Sequence, residues 1–362
     1  MCRRRLGAGG WLAALLVLAG CASPPPAVVP APPPPSPPRA EAPPPTPARA
    51  PYDEAGGQIL ARGARQLVYL PVAGDSWRGI ARRLLGDPGL DWSIAEANRV
   101  ADMAPPAPGV AVLVPLVPRN PAGIHPEWFQ TVPILCYHRF GPVATKMTIT
   151  PQAFAQQLEH LAKNGWRVIP LAELRGFLDA RKPLPPRTVV ITMDDGYESV
   201  HRHAFPLLKK HGFPATLFVY TDFIGAPDAL SWSQLQEMQR SGLVDVQSHS
   251  KSHRNLIERG AAETDARYRL AIDAEMRVPR ELLARRIEGT TVQHIAWPFG
   301  DANATVLEAA ARNGFELGAT VMPGGNAFYA QPLMLRRTMI FGDMDLDAFR
   351  ARLQTMRSWG SP

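Results

Sequence analysis

Cysteine is scarce in this sequence, with three residues in 362, and charged residues make up only 20% of the chain. The formal net charge of +7 is modest, and no dense run of lysine and arginine is interleaved with aromatic residues. Nucleic-acid-binding domains usually carry such a basic patch, so this class of protein is disfavoured. The charge suits an anionic envelope or an anionic polymer equally well and does not choose between them.

The N-terminus has the order of an export signal. Three arginines at 3–5 precede the apolar stretch 11–20, which is too short to span a membrane comfortably. The stretch runs into the tetrapeptide LAGC, which looks like a bacterial lipobox and implies cleavage before Cys21 and lipid attachment to it. Residues 1–21 are therefore interpreted as a lipoprotein signal, and an anchor in the cell envelope, at the outer membrane or in the periplasm, is favoured. The alternative is an ordinary secretory signal that ends in an incidental cysteine.

Composition also bounds how the chain folds. The hydrophobic share is 46%, so the chain can bury at least one large core, and two domains are plausible. If the lipobox is used, Cys2 is lost with the signal and Cys21 is acylated, which leaves Cys136 free. No intrachain disulfide framework is then possible.

A proline-rich segment follows the signal. Between residues 24 and 51 the composition collapses to proline, alanine and a few polar residues. Such a segment cannot bury a core, so residues 22–63 are predicted to form a disordered, extended, polyproline-like tether. The tether would hold the folded part of the chain away from a lipid anchor.

A compact unit is predicted over residues 64–118. A strand-like start passes through the turn GDS into two helical stretches, and a strand-like segment at 110–115 closes the unit. This β-α-α-β order, with Asn98 ending the second helix, resembles the lysin-motif (LysM) module, although Trp77 stands where leucine is more usual. LysM modules bind polymers that contain N-acetylglucosamine, such as peptidoglycan or chitin. The alternative is a small adaptor domain without a ligand.

Residues 125–359 have the pattern of an α/β domain. Strand-like segments at 132–138, 188–193, 215–220 and 244–249 alternate with helical segments of about ten to fifteen residues, which indicates a parallel sheet with outer helices. In parallel α/β folds the functional residues gather at the carboxyl ends of the strands. We therefore expect the polar residues that follow these strands to lie at one rim.

Two adjacent aspartates, Asp194 and Asp195, follow one of these strands and precede a glycine. Adjacent like charges destabilise each other unless a cation or a chemical task separates their roles. A turn or a helix N-cap is the alternative, because aspartate and glycine are ordinary turn residues. The strand-end rule places the two aspartates at the same rim as His249 and the later pair Trp297-Pro298.

His249 and His253 end another strand and are four residues apart. Two imidazoles at this separation can bind one cation from a helical face or from a tight loop. No glutamate of an HExxH motif lies between them, so the zinc-protease interpretation fails. With an aspartate from a neighbouring strand end they predict a His-His-Asp site that keeps positions open for water and substrate, as catalytic zinc sites do. Two exposed histidines placed by chance are the alternative.

Together these motifs resemble the polysaccharide deacetylase family, carbohydrate esterase family 4, from Val132 to near Trp359. The sequence TMDDG at 192–196 is similar to the family's TFDDG, and HSKSH at 249–253 meets its H-S/T-x-x-H motif in full. The resemblance implies a distorted (β/α) barrel for this domain. It also implies a metal-dependent enzyme that hydrolyses N-acetyl groups on amino-sugar polymers.

The resemblance assigns a role to each motif residue. Asp195, His249 and His253 would hold a divalent metal, zinc in the first place, with cobalt or nickel as alternatives. Asp194 would act as general base on the water that the metal activates. The backbone N–H of Phe299, in the third motif, would donate to the oxyanion of the tetrahedral intermediate.

Two departures from the family concern the groups around Asp194. The family's R-x-P-Y motif reads AWPF at 296–299, so the arginine that orients the catalytic aspartate is missing. Arg337 matches a late arginine of the branch that includes exported exopolysaccharide and cell-wall deacetylases, and it is the predicted replacement. No histidine follows His294, so the family's C-terminal general acid is absent. His138, at an early strand end, is the candidate acid, with a purely structural histidine as the alternative.

Aromatic residues near the motifs are candidates for substrate contact. Trp297 and Pro298 are expected to line the substrate groove. Trp232 is a further candidate, although a packing role at the start of a helix explains it as well.

The sequence therefore predicts an exported lipoprotein with a tether, a glycan-binding module and a deacetylase domain. Peptidoglycan is the favoured substrate, because a wall-binding module and a lipid anchor would hold the enzyme beside it. An exopolysaccharide such as poly-N-acetylglucosamine is the alternative substrate. Two other functions stay open: a non-catalytic wall-binding lipoprotein with a degenerate esterase domain, and hydrolysis of O-acetyl esters.

Overall fold

The computed structural model describes residues 56–100, 103–117 and 119–360. The interpretations that fall on the first 55 residues, which are the lipoprotein signal with Cys21 and most of the proline-rich tether, lie outside the described residues. Among the helices that are described, none is both long enough and apolar enough to cross a membrane.

A small antiparallel sheet with two helices comes first in the described chain. Its elements are β1 (Gln58–Arg62), β2 (Gln66–Leu70), α1 (Trp77–Leu85), α2 (Asp91–Ala97) and β3 (Val112–Pro115), with the strands in the order β1-β2-β3. The succession β2-α1-α2-β3 follows the predicted β-α-α-β pattern. Strand β1, however, lies inside the range 22–63 that was predicted to be a disordered tether. The side chains of β1 are mostly exposed, so no apolar alternation marks this strand in the sequence.

Polar and aromatic side chains fasten this small module together. The Asn98 side-chain amide donates to the Leu113 carbonyl at 2.8 Å, and its oxygen accepts the Leu113 N–H at 2.8 Å, which ties the end of α2 to β3. Ser76 caps α1 by accepting a backbone N–H of the first turn. The Trp77 side chain is 4% exposed, and its indole N–H donates to the Ala104 carbonyl at 2.6 Å. The residues that carried the LysM resemblance thus have structural contacts within the module.

The second part of the chain is built around a nine-stranded sheet. The nine strands of this sheet are β5 (Val132–Tyr137), β8 (Arg167–Val168), β9 (Thr188–Met193), β10 (Ala215–Val219), β11 (Val244–Ser248), β12 (His294–Ala296), β13 (Leu317–Ala319), β14 (Gly325–Asn326) and β15 (Thr338–Met339). The short flanking strands are β4 (Trp128–Gln130), β6 (Arg139–Phe140), β7 (Thr148–Ile149) and β16 (Met356–Ser358). The helices are α3 (Pro151–Lys163), α4 (Leu174–Leu178), α5 (Phe205–His211), α6 (Trp232–Arg240), α7 (Asp265–Arg286), α8 (Ala304–Arg312) and α9 (Leu346–Arg352).

The main strands are parallel and lie in the order β13-β12-β11-β10-β9-β5. The chain segment 335–339 joins the two edges of this sheet. At one end of the segment Leu335 forms a parallel bridge with Ala319 of β13, and at the other end β15 pairs in parallel with β5. The sheet is therefore a distorted (β/α) barrel, and the predicted fold is confirmed.

Strand alternation sorts the apolar side chains into two layers. Ile191, Met193 and other residues of their parity pack outward with the helices in one cluster. Val190 and Phe218 belong to a second cluster inside the barrel, which residues of α4 seal at the amino ends of the strands. The inward parity continues along β9 to Asp194, so the polar residues at the carboxyl ends of the strands lie above an apolar filling.

The small module contacts the barrel at the amino ends of its strands. The Asp91 carboxylate of α2 pairs with Arg167 at 2.6 Å, and Asp87 pairs with Lys182 at 2.9 Å. Arg167 is the first residue of β8 and pairs with Thr188, the first residue of β9. The module and the carboxyl ends of the barrel strands therefore lie at opposite ends of the barrel.

The apolar cluster inside the barrel leads to a prediction about the stability of the fold. Phe177 of α4 is fully buried in the interior cluster, so Phe177→Ala should lower the free energy of unfolding by about 3–5 kcal/mol through lost burial and a residual cavity. Leu270→Ala on α7, where the side chain is 72% exposed, is the matched control and should change it by less than about 0.5 kcal/mol. Urea denaturation of both variants measures the difference. Equal losses in the two variants would contradict the assignment of Phe177 to the core.

Candidate active site

The two aspartates lie where β9 ends inside the barrel. The Asp194 side chain is 2% exposed, and its backbone N–H donates to the Tyr137 carbonyl of β5 at 2.9 Å. In an extended strand the next side chain would point to the opposite face. Asp195 instead has a left-handed backbone with φ of 73°, and Gly196 follows with φ of 87°. This sharp turn lets the second carboxylate also face the site, at a conformational cost that the surrounding structure must sustain.

Glycine is required at position 196 for a second reason. A Cβ atom there would lie 2.9 Å from the Cγ1 atom of Val219 on the neighbouring strand β10. The glycine of the DDG sequence therefore allows both the turn and the close approach of the two strands.

The two histidines lie across from Asp195. The distance from Asp195 Oδ1 to His249 Nε2 is 3.5 Å, and the distance from the same oxygen to His253 Nε2 is 3.3 Å. His249 Nδ1 lies 2.8 Å from the Ala296 carbonyl oxygen, so this nitrogen carries the proton and donates it. Burial would lower the pKa of His249, but hydrogen bonding between Nε2 and the Asp195 carboxylate holds this pKa above its ordinary value in the metal-free protein. A metal ion at Nε2 would replace that proton, while the bond from Nδ1 to the Ala296 carbonyl orients the ring, as in histidines that bind metals.

This arrangement fits a divalent cation. The ligand atoms of Asp195, His249 and His253 all lie within 4.8 Å of one another. Ligands held about 2.1 Å from a tetrahedral zinc ion are about 3.4 Å apart, close to the two distances measured from the Asp195 oxygen. Two imidazole nitrogens and one carboxylate oxygen also form a usual donor set for catalytic zinc. The structure thus brings together the three residues that were predicted to hold the metal.

A second group of potential ligands, Cys136, His138 and Asp194, lies beside the first. It fits a cation poorly, because the positive guanidinium of Arg337 is already hydrogen-bonded to both carboxylate oxygens of Asp194. Burial raises the pKa of the Cys136 thiol well above its usual range, so sulfur is a protonated and weak ligand there.

Arg337 forms a buried ion pair with Asp194 in the site. Its Nη1 and Nη2 atoms donate to Oδ1 and Oδ2 of Asp194, each at 2.7 Å, and both side chains are almost completely buried. Its Nε atom donates to the Thr320 carbonyl at 2.8 Å. Arg337 belongs to the segment 335–339 that joins the edges of the barrel. The structure therefore places the predicted replacement arginine directly on the predicted base.

Charge pairing decides the protonation of the site. Burial alone would raise the pKa of Asp194, but the Arg337 guanidinium and His249 outweigh it and hold the pKa below its usual range. Burial would likewise raise the pKa of Asp195, yet hydrogen bonding to His249 and His253 holds it well below that range. Both carboxylates are therefore ionised at neutral pH, which suits one as a ligand and the other as a base.

His138 follows β5 and lies next to Asp194, where the sequence had placed the candidate acid. Burial lowers the pKa of His138 below its usual range, although the nearby carboxylates of Asp194 and Asp195 oppose this shift. The imidazole is therefore neutral near pH 7. Its role stays a prediction.

Several aromatic rings lie around His253. The ring centroid of His253 is 5.0 Å from that of Tyr220 and 5.1 Å from that of Phe299. Phe223 stacks on Tyr220 at 5.1 Å and contacts Tyr197 at 5.5 Å. The sequence interpretation missed Tyr197, Tyr220 and Phe223. The strand-end rule could have found Tyr220, because it directly follows β10.

Phe299 itself has a left-handed backbone with φ of 60°, and its side chain is 59% exposed. Its backbone, the predicted oxyanion donor, therefore lies in a sharp turn after β12, next to His253. Left-handed residues thus follow several strand ends at this rim, since Ser250 and His253 also have φ values of 70° and 60°. Such strained residues cluster at sites where the backbone must present specific groups.

The expected substrate contacts of Trp297 and Pro298 do not match their positions. Trp297 is 0% exposed, and its indole N–H donates to the Leu333 carbonyl at 2.9 Å, so its ring is part of the core. Pro298 is also buried. Trp232 packs partly against the core, with the Arg286 guanidinium 5.5 Å from its ring centroid, which matches the packing alternative. Aromatic type and nearness to a motif predicted contact, but strand parity turned Trp297 away from solvent.

Comparisons with known proteins agree with this geometry. Residues 181–318 match the polysaccharide deacetylase family. YxkH of Bacillus subtilis, whose own assignment as a polysaccharide deacetylase is provisional, is 28% identical over 236 residues, which cover 64% of this chain and 80% of that protein. The poly-β-1,6-N-acetyl-D-glucosamine N-deacetylase of Escherichia coli K12 is 26% identical over 245 residues, which cover 58% of this chain and only 36% of that protein. The solved structure of IcaB from Ammonifex degensii is 29% identical, with a TM-score of 0.56, and the match covers 62% of this chain and 97% of IcaB.

The buried pair predicts a pH-dependent cost of removing the arginine. Arg337→Met leaves the Asp194 carboxylate buried and uncompensated, so the metal-free protein should lose about 3–5 kcal/mol of unfolding free energy at pH 8. The wild-type pKa of Asp194 is depressed, so its contribution to stability is present above the unfolded pKa and is lost only as the pH falls through the folded pKa. In the variant burial should raise the pKa, and protonation should relieve part of the loss at pH 5. Denaturant unfolding at both pH values measures this.

Arg336→Met is the matched control, because Arg336 is the exposed neighbour of Arg337. It should change the unfolding free energy by less than about 0.5 kcal/mol at either pH. The double variant Asp194→Asn/Arg337→Met should recover most of the stability lost in Arg337→Met, because no buried charge remains. A loss that is the same at both pH values and is not recovered would contradict the charge-pairing explanation.

Proposed function

We propose that this chain, a hydrolase of the polysaccharide deacetylase type, removes N-acetyl groups from an amino-sugar polysaccharide of the bacterial cell envelope. The observation that carries the proposal is that a candidate metal site and a candidate general base lie side by side at one rim. Asp195, His249 and His253 converge on a space of the right size for a divalent metal, and Asp194 lies beside them, held by Arg337.

In the proposed mechanism Asp195, His249 and His253 would hold a divalent metal, with zinc favoured, which would supply a more acidic water ligand and polarise the acetyl carbonyl. Asp194 takes the proton of the attacking water. Its Oδ2 atom lies 3.9 Å from His249 Nε2, so the carboxylate borders the same space. Each carboxylate oxygen keeps lone-pair capacity beyond its bond to Arg337, and the two-point contact prevents the carboxylate from rotating away.

The leaving amine must receive a proton when the C–N bond breaks. His138 is proposed to relay the proton from Asp194 to this nitrogen, because a neutral imidazole accepts at one ring nitrogen and donates at the other. The backbone N–H of Phe299 is proposed to stabilise the oxyanion on the former carbonyl oxygen. The rings of Tyr220 and Phe299 flank His253 and offer apolar faces to a sugar ring.

Peptidoglycan is the first candidate substrate. The proposal rests on the LysM-like order of the small module and on the lipobox-like Cys21, which would anchor the chain in the envelope and hold the domain beside the wall. The export signal and the lipid anchor are part of the same proposal.

An exopolysaccharide is the second candidate, and a specific observation favours it. One relative, 26% identical over 245 residues, is named a poly-β-1,6-N-acetyl-D-glucosamine N-deacetylase. The two polymers share the acetylated amino sugar that the site would act on. They differ in linkage and in the groups around that sugar.

Acetate release from amino-sugar polymers tests the activity. The zinc-loaded protein should release acetate from N-acetylglucosamine oligomers, and Asp194→Asn should lower kcat by about 100- to 10,000-fold while zinc stays bound, because a general base contributes about that much. Asp347→Asn is the matched control, since the Asp347 side chain on α9 is 86% exposed, and it should keep full activity. Acetate and bound zinc are measured on the same samples.

The outcomes separate the competing functions. Zinc bound without acetate release from any amino-sugar polymer would favour a non-catalytic binding protein. Release from acetylated xylan but not from N-acetylated oligomers would favour an O-acetyl esterase. Comparison of peptidoglycan with poly-β-1,6-N-acetylglucosamine as substrates separates the two polymer candidates.

Glycan binding by the small module has its own test. The chain should sediment with purified peptidoglycan, and removal of residues 56–117 should abolish this without preventing acetate release from short oligomers. Peptidoglycan binding that persists without the module, or no binding by the full chain, would contradict a LysM-like function. Parallel sedimentation with poly-β-1,6-N-acetylglucosamine shows which polymer the module prefers.

A further inference from the structure

We propose that Glu275 of α7 is a positioning residue for the metal-binding histidines. The inference rests on the proposed metal site, and it concerns a residue outside the motifs that define that site. Glu275 does not contact the space between Asp195, His249 and His253. It acts on the backbone of the loop that connects the two histidines.

Glu275 accepts hydrogen bonds from this loop through both of its carboxylate oxygens. Its Oε2 atom accepts the backbone N–H of Lys251 and the backbone N–H of Ser252, each at 2.9 Å. Its Oε1 atom accepts the Ser252 hydroxyl at 2.7 Å. The carboxylate therefore fixes the two residues in the middle of the HSKSH loop, between His249 and His253.

The loop needs this support because its backbone is strained. Ser250 and His253 both have left-handed φ values, of 70° and 60°, which non-glycine residues adopt only when the surroundings impose them. The Ser250 hydroxyl accepts the His253 N–H at 3.1 Å and contributes one constraint from inside the loop. Glu275 contributes the constraint from outside, from a helix that is itself packed against the barrel.

The position of Glu275 on its helix is unusual for a carboxylate. The buried residues of α7 form one stripe at helical spacing, and Glu275 lies within it: Tyr268, Ile272, Glu275, Met276, Pro279 and Leu283. Its side chain is 7% exposed. A charged residue on an apolar stripe is costly unless it is fully paired. The partners of Glu275 are the hydrogen-bond donors of the histidine loop. A carboxylate that holds this loop therefore stands at a position of the helix where an apolar residue would be expected.

A positioning role differs from a purely structural role in what a substitution changes. Ser252 is exposed and Lys251 is half-buried, so water can reach the freed N–H groups when the carboxylate is removed. The fold should therefore survive, whereas the loop should lose its fixed conformation. Partners that orient metal ligands typically contribute a factor of about 10 to 100 to metal affinity.

The experiment measures zinc affinity, by competition with a chromogenic chelator, on variants of the full chain. Glu275→Met keeps the length of the side chain and removes every acceptor, and it should weaken zinc binding about 10- to 100-fold. Glu275→Gln retains an oxygen for the two N–H groups and should stay within about threefold of wild type, because its amide can donate to the Ser252 hydroxyl. Ser252→Ala removes one of the three bonds and should have an intermediate effect.

Glu281→Met is the matched control on the same helix, where the Glu281 side chain is 53% exposed, and it should leave zinc affinity unchanged. The visible absorption of bound cobalt gives a second readout, because displacement of His253 alters the ligand field. Circular dichroism of the metal-free variants establishes that each is folded.

Each outcome has one meaning. Wild-type zinc affinity in folded Glu275→Met, with an unchanged cobalt spectrum, would overturn the positioning role while leaving the proposed function intact. If Glu275→Met does not fold, Ser252→Ala decides the matter, and unchanged affinity in that variant counts against the inference. A wild-type chain that binds neither zinc nor cobalt would contradict the proposed function itself.

Discussion

The ion pair between Arg337 and Asp194 is the contact on which the rest of the site depends. A buried guanidinium and a buried carboxylate are each costly alone, so neither side chain can leave the other without a large loss of stability. Arg337 lies in the segment 335–339, which joins the two edges of the barrel and pairs with β5. Asp194 directly follows β9, which lies on the other side of β5. The same pair therefore fixes the position of the proposed base and links β9 to the segment that joins the edges of the barrel. The geometry of the candidate site and the fold thus share one interaction.

Much of the site could be predicted because it obeys simple rules. Parallel strands bring their carboxyl ends to one rim, and this rule alone was enough to group Asp194 and Asp195 with His249. The spacing of His249 and His253 then indicated a shared cation. Arg337 could not be found by any local rule, since no pattern in the sequence links it to a residue more than a hundred positions earlier. Only the resemblance to a family pointed to it.

The errors have physical causes that a local pattern does not reveal. Trp297 lies beside a motif, but the alternation of the strand buries its ring, and sequence distance to a motif does not tell which way a side chain points. Strand β1 was missed because its exposed side chains show no alternation of apolar and polar residues. Helix α7 was not identified, yet its buried stripe contained a usable signal. A glutamate at a position where the helical period calls for an apolar residue indicates a buried carboxylate that is paired with specific hydrogen-bond donors.

The attachment of the small module at the amino ends of the barrel strands has a consequence for scale. A strand of five or six residues is about 20 Å long, so the module and the rim that carries the candidate site are separated by at least the height of the barrel wall. A short oligosaccharide that touches the module cannot reach Asp194 at the same time. A polymer bound to both would have to run the length of the barrel, or two separate polymer strands would have to meet its two ends. If the module binds glycan as proposed, the protein would hold a polymer at one end of the barrel and deacetylate it about 20 Å or more away, at the other end.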